Sequence, residues 1–507
     1  MSGTGLSRDQ LRLLTIAAVI FAALLMLQMT VVPVANNDVW ILMKVGELIV
    51  DTGKVPDTLL FPFTTVRDNH FNAHEWLVSI IYHECDRLLG LRHLMWVVGA
   101  FALVQFSLCV ALARRLSGSL GVALVMAMMA MACANARYVL RPELFALLFF
   151  ILLLTVLERW RAQRRWTILA WTVPLTVLWV NCHGSFLLAP VVVGLYALGQ
   201  GLTAARAAAG TTAQRLRAGW HAGLPLGVAA VAMTASCVAN PAGWRLLLFP
   251  FQLQHSEAIR ALIKEWLPTF SHLFVVEPPF WVFVVVATAA TAVVIRLRRH
   301  LEATDVLLYL FFLAIALERS RHIVWFGFVA LAVCARLVGR ASADPRREQG
   351  MRVGAALLAV AGLAVTFVFG NVSRAHIYYS PSDNFSPVMA RELSDPTMTG
   401  NVLNSYELGG ELIYRDWPRL KPSIDSRVDS YGDDYLLFHI RVLQDEKLLN
   451  LFLEGNQVNY MLLLRRDMDL GPRGMPSIRA NWHIRLTDGD QYLLERNHPL
   501  PTPGANP

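Results

Sequence analysis

The chain has 507 residues, of which 55% are hydrophobic and only 16% are charged. Soluble proteins carry about 25% charged residues, so this composition excludes a soluble protein and predicts one that crosses a membrane many times. The net charge of +8 does not indicate a nucleic-acid partner, because most of the basic residues fall in short connections between apolar segments, where they report topology.

Apolar segments long enough to cross a bilayer recur along the chain, and they predict about eleven transmembrane helices. They cover residues 13–34, 93–113, 119–135, 143–157, 167–182, 185–201, 222–239, 279–295, 303–317, 322–338 and 353–370. Every second connection, counted from the N-terminus, is rich in arginine. Because such connections stay in the cytoplasm, the pattern predicts a cytoplasmic N-terminus and an outer C-terminal segment, which in a bacterium lies in the periplasm.

The first outer loop, residues 35–92, delivers two carboxylates to the predicted outer face. Asp38 follows the first span and begins a predicted helix, 39–50, whose charged residues favour a position along the membrane surface. Glu75 lies at the start of a second predicted helix that runs to about Gly90. Two structural alternatives remain open, since Asp38 is also a good helix N-cap and Glu75 also suits a pair with His74.

Further polar residues fall on the predicted outer side, in at least six separate connections. Ionisable groups at membrane depth are costly and usually mark function, so they predict an outward-facing cavity that binds an anion and carries out proton chemistry. Each of these residues also has a purely structural explanation, such as a tight break between two spans at 181–184 or a local ion pair of Glu318 with Arg319. The set comprises Asp38, His74, Glu75, Arg137, Arg141, Glu143, Asn181, His183, Asn240, Lys264, Glu265, Glu318, Arg319, Arg321 and His322.

Residues 371–507 have an ordinary charge content and predict a small α/β domain. The predicted strands are 400–404, 421–425, 458–464, 482–487 and 490–495, with a turn at Asp488-Gly489 between the last two. The predicted helices are 386–395, 408–416, 435–445 and 446–455. The chain is therefore expected to form a transmembrane domain, 1–370, and an extracytoplasmic α/β domain, 371–507.

An Asp directly after the first span, in a long outer loop with surface helices, resembles the GT-C superfamily of polytopic glycosyltransferases. The chain resembles more closely a group of bacterial GT-C-like membrane proteins. The Asp-Glu dyad usual in protein mannosyltransferase-like relatives is absent, and Asn37-Asp38 stands there, followed by Val39. The matching pieces are Asp38-Val39-Trp40, Gly46, Gly53, His74-Glu75-Trp76, Arg141-Pro142-Glu143, Asn181-Cys182-His183-Gly184, Asn240-Pro241-Ala242-Gly243, Glu265-Trp266, Tyr406 to Gly410 and Asp425 to Gly432.

The resemblance implies a mostly α, polytopic GT-C-like fold and a glycosyltransferase of the bacterial inner membrane. Such an enzyme would transfer a hexose or pentose from a polyprenyl-phosphate donor to a glycan, lipid or protein acceptor, in envelope glycan or exopolysaccharide synthesis. Asp38 would be the catalytic base, acting alone or with Glu75. Arg141, Arg319 and Arg321 would hold the phosphate, and His183 and His322 would bind sugar or phosphate.

Three questions stay open at this stage. A divalent metal at Asp38, His74 and Glu75 is conceivable, although their spacing matches no metal motif. The same cavity would also suit a transporter or flippase for a lipid-linked or anionic solute, or a non-catalytic polysaccharide assembly protein. A transporter should carry charged or broken segments near the bilayer midplane, whereas the charges here cluster at one face, which favours outer-leaflet chemistry.

Overall fold

The computed structural model describes residues 37–256, 266–341 and 385–498, together with isolated positions between 9 and 24. The predicted span 353–370 lies outside the described residues, and so does most of the span 13–34. Lys264 and Glu265 also fall outside them.

Helices dominate the part of the chain that precedes residue 341. They are α1 (Asn37–Thr52), α2 (Trp76–Leu89), α3 (Leu94–Ser117), α4 (Leu120–Ala134), α5 (Glu143–Gln163), α6 (Trp166–Leu169), α7 (Thr172–Val180), α8 (Leu188–Ala207), α9 (Thr212–Ser236), α10 (Phe249–His255), α11 (Pro278–Arg296), α12 (Ala303–Glu318) and α13 (Ile323–Arg340). Each predicted span between 93 and 338 falls on one of these helices, except that 167–182 is divided between α6 and α7.

Among the described residues, five helical segments are long and apolar enough to cross a membrane. They are Leu94–Ser117, Leu120–Arg137, Gly184–Ala207, Pro278–Arg296 and Ser320–Arg340. The membrane class and the helical fold are confirmed, while the total of eleven spans stays a prediction.

The C-terminal region alternates short helices and strands, as its sequence predicts. Its helices are α14 (Pro387–Leu393), α15 (Gly409–Asp416), α16 (Val428–Tyr431), α17 (Asp433–Gln444), α18 (Glu446–Gly455), α19 (Arg465–Leu470) and α20 (Pro476–Asn481). Its strands are β1 (Gly400–Asn404), β2 (Leu420–Pro422), β3 (Val458–Leu464), β4 (Trp482–Asp488) and β5 (Gln491–Arg496). The five predicted strands and four predicted helices are all present, with ends shifted by at most a few residues.

These strands form one mixed sheet in the order β2-β1-β3-β5-β4. Strands β1, β2 and β3 run parallel, and β5 pairs antiparallel with β3 and β4. Alternate residues enter two different cores, since Val402 packs with α14 and α15 whereas Leu403 packs with α17 and α18. The sheet is therefore covered by helices on both faces, which explains the nearly continuous apolar run of its central strand β3.

The described chain divides into two compact units. The first unit contains residues 95–247 and 266–341, and the second contains 37–94, 248–256 and 385–498. The first outer loop, which the sequence places with the transmembrane domain, thus packs with the C-terminal α/β region. This grouping differs from a simple division at residue 370.

Two glycines explain how the first loop joins the second unit. Helices α1 and α2 cross at Gly46, where an added Cβ would lie 2.1 Å from the carbonyl oxygen of Ser79. Helix α15 meets the start of α1 at Gly410, where a Cβ would lie 2.7 Å from the Asn37 carbonyl oxygen. Because only glycine permits these approaches, the apolar face of α1 can pack directly on Ile413 of α15.

In the first unit, α13 is buried along most of its length, from Ile323 to Leu337. It packs on α4 through Gly327, where a Cβ would lie 2.7 Å from the Cβ of Cys133. The fixed position of α13 matters for function because polar groups lie at both of its ends.

Candidate active site

A cluster of cations lies in the first unit, where α12 is connected to α13. Arg319, Arg321 and His322 occupy this connection, and Arg137 follows α4. The guanidinium groups of Arg137, Arg319 and Arg321 all act electrostatically on His322. We call these four residues, with Glu143, the basic cluster. The structure thus brings together three of the predicted phosphate-binding residues and adds Arg137 from a different connection.

Residues 266–269 hold the arginines of the α12–α13 connection in place. The Arg319 guanidinium donates to the carbonyl oxygen of Trp266 at 2.6 Å, and the Arg321 guanidinium lies 4.2 Å from the centre of the Trp266 ring. Thr269 donates from its hydroxyl to the carbonyl oxygen of Ala316 at 2.6 Å. The local pair with Glu318 is weaker, because its carboxylate lies 3.8 Å from Arg319 and is 68% exposed.

The segment that precedes α5 is also held by buried polar contacts. Gln105 donates to the Leu144 carbonyl oxygen at 2.9 Å and accepts from the Tyr138 hydroxyl at 2.7 Å. Arg137 lies 3.4 Å from the Glu143 carboxylate, and both side chains are almost buried. Half-buried Arg141 lies in the turn between them.

The basic cluster combines three guanidinium groups, one imidazole and one carboxylate. Among the described residues, Glu143 lies beside Arg137, and the exposed Glu318 lies beside Arg319. The Nδ1 atom of His322 is buried and has no hydrogen-bond partner among the described residues. Buried polar atoms are normally satisfied, so this atom, close to three guanidinium groups, suits a bound anion.

His183 lies in a separate turn between α7 and α8. Its Nδ1 accepts from the Ser185 backbone N–H at 3.1 Å and lies 2.8 Å from the Ser185 hydroxyl, so the neutral ring carries its proton on Nε2. Asn181 donates to the carbonyl oxygens of Val177 and Ala239, both at 2.8 Å. The contacts of Asn181 thus agree with the alternative that residues 181–184 form a tight break between two helices. A ligand-binding role for His183 stays a prediction.

The two predicted carboxylates belong to the second unit. Asp38 is half-buried in the first turn of α1, where its charge also favours the helix dipole. Glu75 directly precedes α2 but makes no side-chain cap, and its side chain is 27% exposed. Their catalytic roles stay predictions.

His74 is placed beside Glu75. Its Nδ1 lies 2.9 Å from the Asn72 carbonyl oxygen, and its Nε2 lies 3.6 Å from the Glu75 carboxylate. The ring also packs on Phe249, with 4.7 Å between ring centres. The alternative reading, that Glu75 forms a pair with His74, is therefore compatible with the structure.

The described residues offer no group of three or more His, Cys, Asp or Glu side chains that could hold a metal ion. Asp38, His74 and Glu75 are all described, so their arrangement here does not fit a shared divalent cation. No step of the proposed chemistry below depends on a metal.

The Asp425 to Gly432 motif proves to pin the first loop. The Asp425 carboxylate is fully buried and accepts from Arg427 at 2.9 and 2.6 Å and from the Tyr431 hydroxyl at 2.8 Å. The Arg427 guanidinium then lies 4.8 Å from the Phe61 ring and 4.9 Å from the Phe71 ring. An ion pair with aromatic neighbours thus fixes the loop, which gives this motif a structural role.

Comparison with known proteins gives a match by structure alone. No protein-family model matches the sequence, and no curated protein matches it. The structure is similar to the Archaeoglobus fulgidus oligosaccharyltransferase in its apo form, at 11% identity and a TM-score of 0.53, over 90% of this chain and 70% of that chain.

Two further structures of the archaeal enzyme match comparably. The oligosaccharyltransferase AglB from Archaeoglobus fulgidus, in complex with an inhibitory peptide and a dolichol-phosphate, has a TM-score of 0.55 at 11% identity, over 96% of this chain and 75% of that chain. The enzyme tethered to an acceptor peptide with the NVT sequon has a TM-score of 0.56 at 12% identity, over 94% and 74%. This chain therefore shares the fold of the archaeal oligosaccharyltransferase.

Proposed function

We propose that this chain is a membrane glycosyltransferase that moves a sugar from a polyprenyl-phosphate donor to an acceptor at the outer face of the bacterial inner membrane. The observation that carries the proposal is the basic cluster, in which Arg137, Arg319 and Arg321 act on His322, whose buried Nδ1 has no hydrogen-bond partner among the described residues. It occurs in a fold shared with an enzyme that has been solved with a dolichol-phosphate.

The basic cluster is the proposed site for the phosphate of the donor. Arginine suits this role because its planar guanidinium can form two parallel hydrogen bonds with phosphate oxygens. Arg319 and Arg321 are held by Trp266 and do not need to be ordered when the donor binds. Arg141 and His183 are proposed as further donor contacts, and His322 as a hydrogen-bonding partner of phosphate or sugar.

The proposed transfer needs one base. The acceptor hydroxyl attacks C1 of the sugar, its proton passes to a carboxylate, and the C1–O bond to the phosphate breaks with its electron pair leaving on the phosphate. Asp38 is the proposed base, and Glu75 assists it or replaces it. The arginines stabilise the negative charge that develops on the leaving phosphate.

The test is turnover of radiolabelled polyprenyl-phosphate hexoses and pentoses by the purified protein in one detergent. The acceptors offered are an oligosaccharide, a lipid and a peptide with an NVT sequon, the kind of acceptor tethered to the archaeal enzyme. We expect Asp38→Asn to lower turnover by about 10²–10⁴-fold, as for loss of a general base. Asp51→Asn, at the exposed end of the same helix, is the control and should retain activity.

Glu75→Gln distinguishes the two carboxylates. A loss as large as that of Asp38→Asn means that the two act as a unit, whereas a smaller loss means that Glu75 only orients its neighbours. Wild-type turnover by Asp38→Asn would remove Asp38 from the mechanism. Absence of turnover by the wild type on every lipid-linked sugar would overturn the transferase in favour of the transporter or flippase.

A further inference from the structure

A polar cleft of 480 Å³ lies within the second unit. One of its walls is helix α1, which also carries Asp38 in its first turn. The cleft has a volume in the range of about 300–1,000 Å³ usual for small-molecule sites. It is formed by α1, α2 and α15, with the end of α14 at its edge. The polar groups that line it include Lys44, Glu47, His83, Asp86, Tyr414 and Arg415.

The walls of the cleft are fixed by the close approaches of the second unit. Lys44 and Glu47 flank Gly46, where α1 touches the backbone of α2 at Ser79. On the opposite side, Gly410 lets α15 approach the start of α1. Since neither contact leaves room for a methyl group, the cleft is formed before any ligand arrives, which lowers the entropic cost of binding.

The charged groups of the cleft already have partners, some of which lie outside the lining. The Lys44 ammonium lies 3.0 Å from both Glu47 carboxylate oxygens, and Arg415 donates to Glu411, outside the lining, at 2.6 Å. The Tyr414 hydroxyl donates to Asp86 at 2.5 Å, and the lining carboxylate of Asp416 lies 2.6 Å from Arg419. With both signs present, the cleft offers little excess charge to an anion or a cation.

These pairs still leave hydrogen-bonding capacity. An ammonium has three N–H groups and a carboxylate has about four lone-pair positions, so Lys44, Glu47 and Asp86 can each form further bonds. Burial and the hydrogen bond to Asp86 raise the pKa of Tyr414, so its hydroxyl stays protonated and its oxygen can accept a hydrogen bond from a ligand. A ligand that suits this lining must be neutral and must present several hydroxyl groups at short spacing.

One aromatic ring, that of Tyr414, belongs to the lining. It lies 5.2 Å from the ring of buried Trp40, and the Arg415 guanidinium lies 5.6 Å from the same Trp40 ring. The buried Trp40 ring therefore supports Tyr414 and Arg415 from behind. A ring beside convergent polar groups offers an apolar surface for C–H groups and hydrogen bonds for hydroxyls, and a sugar ring presents both.

We propose that this cleft is a binding site for a neutral saccharide. Within the transferase described above, that saccharide is part of the acceptor, which identifies the acceptor as a glycan or a glycan-bearing molecule. This last step rests on the proposed function, whereas saccharide binding itself does not. Because binding can be measured without donor and without turnover, the two can fail separately.

The experiment is titration of the full-length protein in detergent with neutral gluco- and manno-oligosaccharides, followed by tryptophan fluorescence and by calorimetry. An oligosaccharide of glucuronic acid serves as the charged comparison. We expect saturable binding of a neutral oligosaccharide, weakened at least about tenfold by Asp86→Asn and by His83→Ala, with the melting temperature retained. Asp469→Asn, in an exposed pair of the same unit, is the matched control and should bind as the wild type does.

Three results would overturn the proposal. They are the absence of binding for every neutral oligosaccharide, binding that both cleft variants leave unchanged, and binding confined to the acidic oligosaccharide. Tyr414→Phe keeps the ring and removes only the hydroxyl, so it provides a variant that should fold if Asp86→Asn does not. Saccharide binding by a protein that shows no turnover would refute the proposed transferase activity, but it would still support the cleft as a saccharide-binding site.

Discussion

Helices α5, α12 and α13 each carry charged groups at both ends, and the two ends differ. At one end lies the basic cluster. At the other lies a network in which three arginines meet three carboxylates. We call it the balanced network, and it comprises Glu158, Arg161, Glu302, Asp305, Arg336 and Arg340.

The centre of the balanced network is buried, while Glu302 and Arg340 at its edge are partly exposed. Asp305 is fully buried, and its carboxylate accepts from Arg161 at 3.2 Å, from Arg340 at 3.1 Å and also from Arg336. Glu158 pairs with Arg336 and accepts from the Tyr196 hydroxyl at 2.5 Å. A network with equal numbers of both signs has no capacity for a further ion, so its role is to join the three helices.

The comparison separates structural charge from functional charge on the same scaffold. Both ends use arginine, and both lie beside the same helices, so neither residue type nor position distinguishes them. The difference lies in the ion pairs among the described residues, since one end pairs three arginines with three carboxylates, whereas the other holds a buried imidazole nitrogen for which the described residues provide no partner. Each prediction below tests whether this difference decides the role.

The largest effect is expected for Asp305→Asn in the balanced network. The substitution keeps the side-chain shape and the acceptor for the Glu302 backbone N–H, but it leaves Arg161 and Arg336 with an uncompensated buried charge. We expect a loss of about 3–5 kcal/mol in the free energy of unfolding. The measurement is SDS-induced unfolding of the protein in mixed micelles.

Glu318→Gln, at the other end of the same helix, is the control. Its carboxylate is exposed, so its loss should change the free energy of unfolding by no more than about 0.5 kcal/mol. Equal effects of Asp305→Asn and Glu318→Gln would show that the two ends do not differ in structural role.

The next effect concerns donor binding by the basic cluster. Arg319→Gln and Arg321→Gln should each remove a charge-assisted contact with phosphate, with a loss of about 1.5–3 kcal/mol, or about 10–100-fold in donor affinity. Stability should change less than in Asp305→Asn, because Arg319 is partly exposed whereas Asp305 is fully buried. The measurement is the KM for the lipid-linked donor, with the melting temperature recorded alongside.

Arg299→Gln is the matched control for charge, since this arginine is exposed in the connection that precedes α12. It should leave the KM for the donor unchanged. If Arg319→Gln lowered the melting temperature and left the KM intact, the basic cluster would be structural after all.

A third effect is the coupling between partners in the balanced network. The double variant Asp305→Asn/Arg336→Gln should lose less free energy of unfolding than the two single variants added together, by about 0.5–3 kcal/mol. The reason is that each single substitution removes the partner of the other charge. Asp305→Asn combined with Arg319→Gln joins opposite ends of α12 and should be additive to within about 0.5 kcal/mol. Additivity in the first pair, measured by the same SDS unfolding, would mean that the network has no internal coupling.

The sequence predicts the local features of this molecule well and the long-range ones poorly. Strands β1 and β3 are found at their predicted residues because short apolar runs and nearby glycines are local signals that extend over a few positions. The grouping of Arg319, Arg321 and His322 follows from their adjacency. The addition of Arg137 does not, because it depends on how α4 packs beside α13.

The arginines of the balanced network show the limit most clearly. Arg161, Arg336 and Arg340 are read from the sequence as topology signals, which is the usual role of arginine in connections between spans. Of the carboxylates that pair with Arg161, that of Asp305 lies 144 residues further along the chain, so no local pattern indicates this pair. Gly410 is similar, since a motif marks it but only its contact with Asn37 gives the reason.

The smallest effect is the response of the two ends to salt. Dissolved ions screen accessible charges over about 10 Å at 0.1 M ionic strength and about 3 Å at 1 M, but they screen buried pairs much less. Donor binding at the basic cluster should therefore weaken several-fold between about 0.1 and 1 M NaCl, while the melting temperature, to which the balanced network contributes, should change little. Arg319→Gln should flatten the salt dependence of the KM, because it removes one of the screened charges. The contrary result is a melting temperature that falls with salt as steeply as the donor affinity, in both the wild type and Arg319→Gln. It would show that both ends are equally open to solvent ions, so that charge balance does not separate their roles.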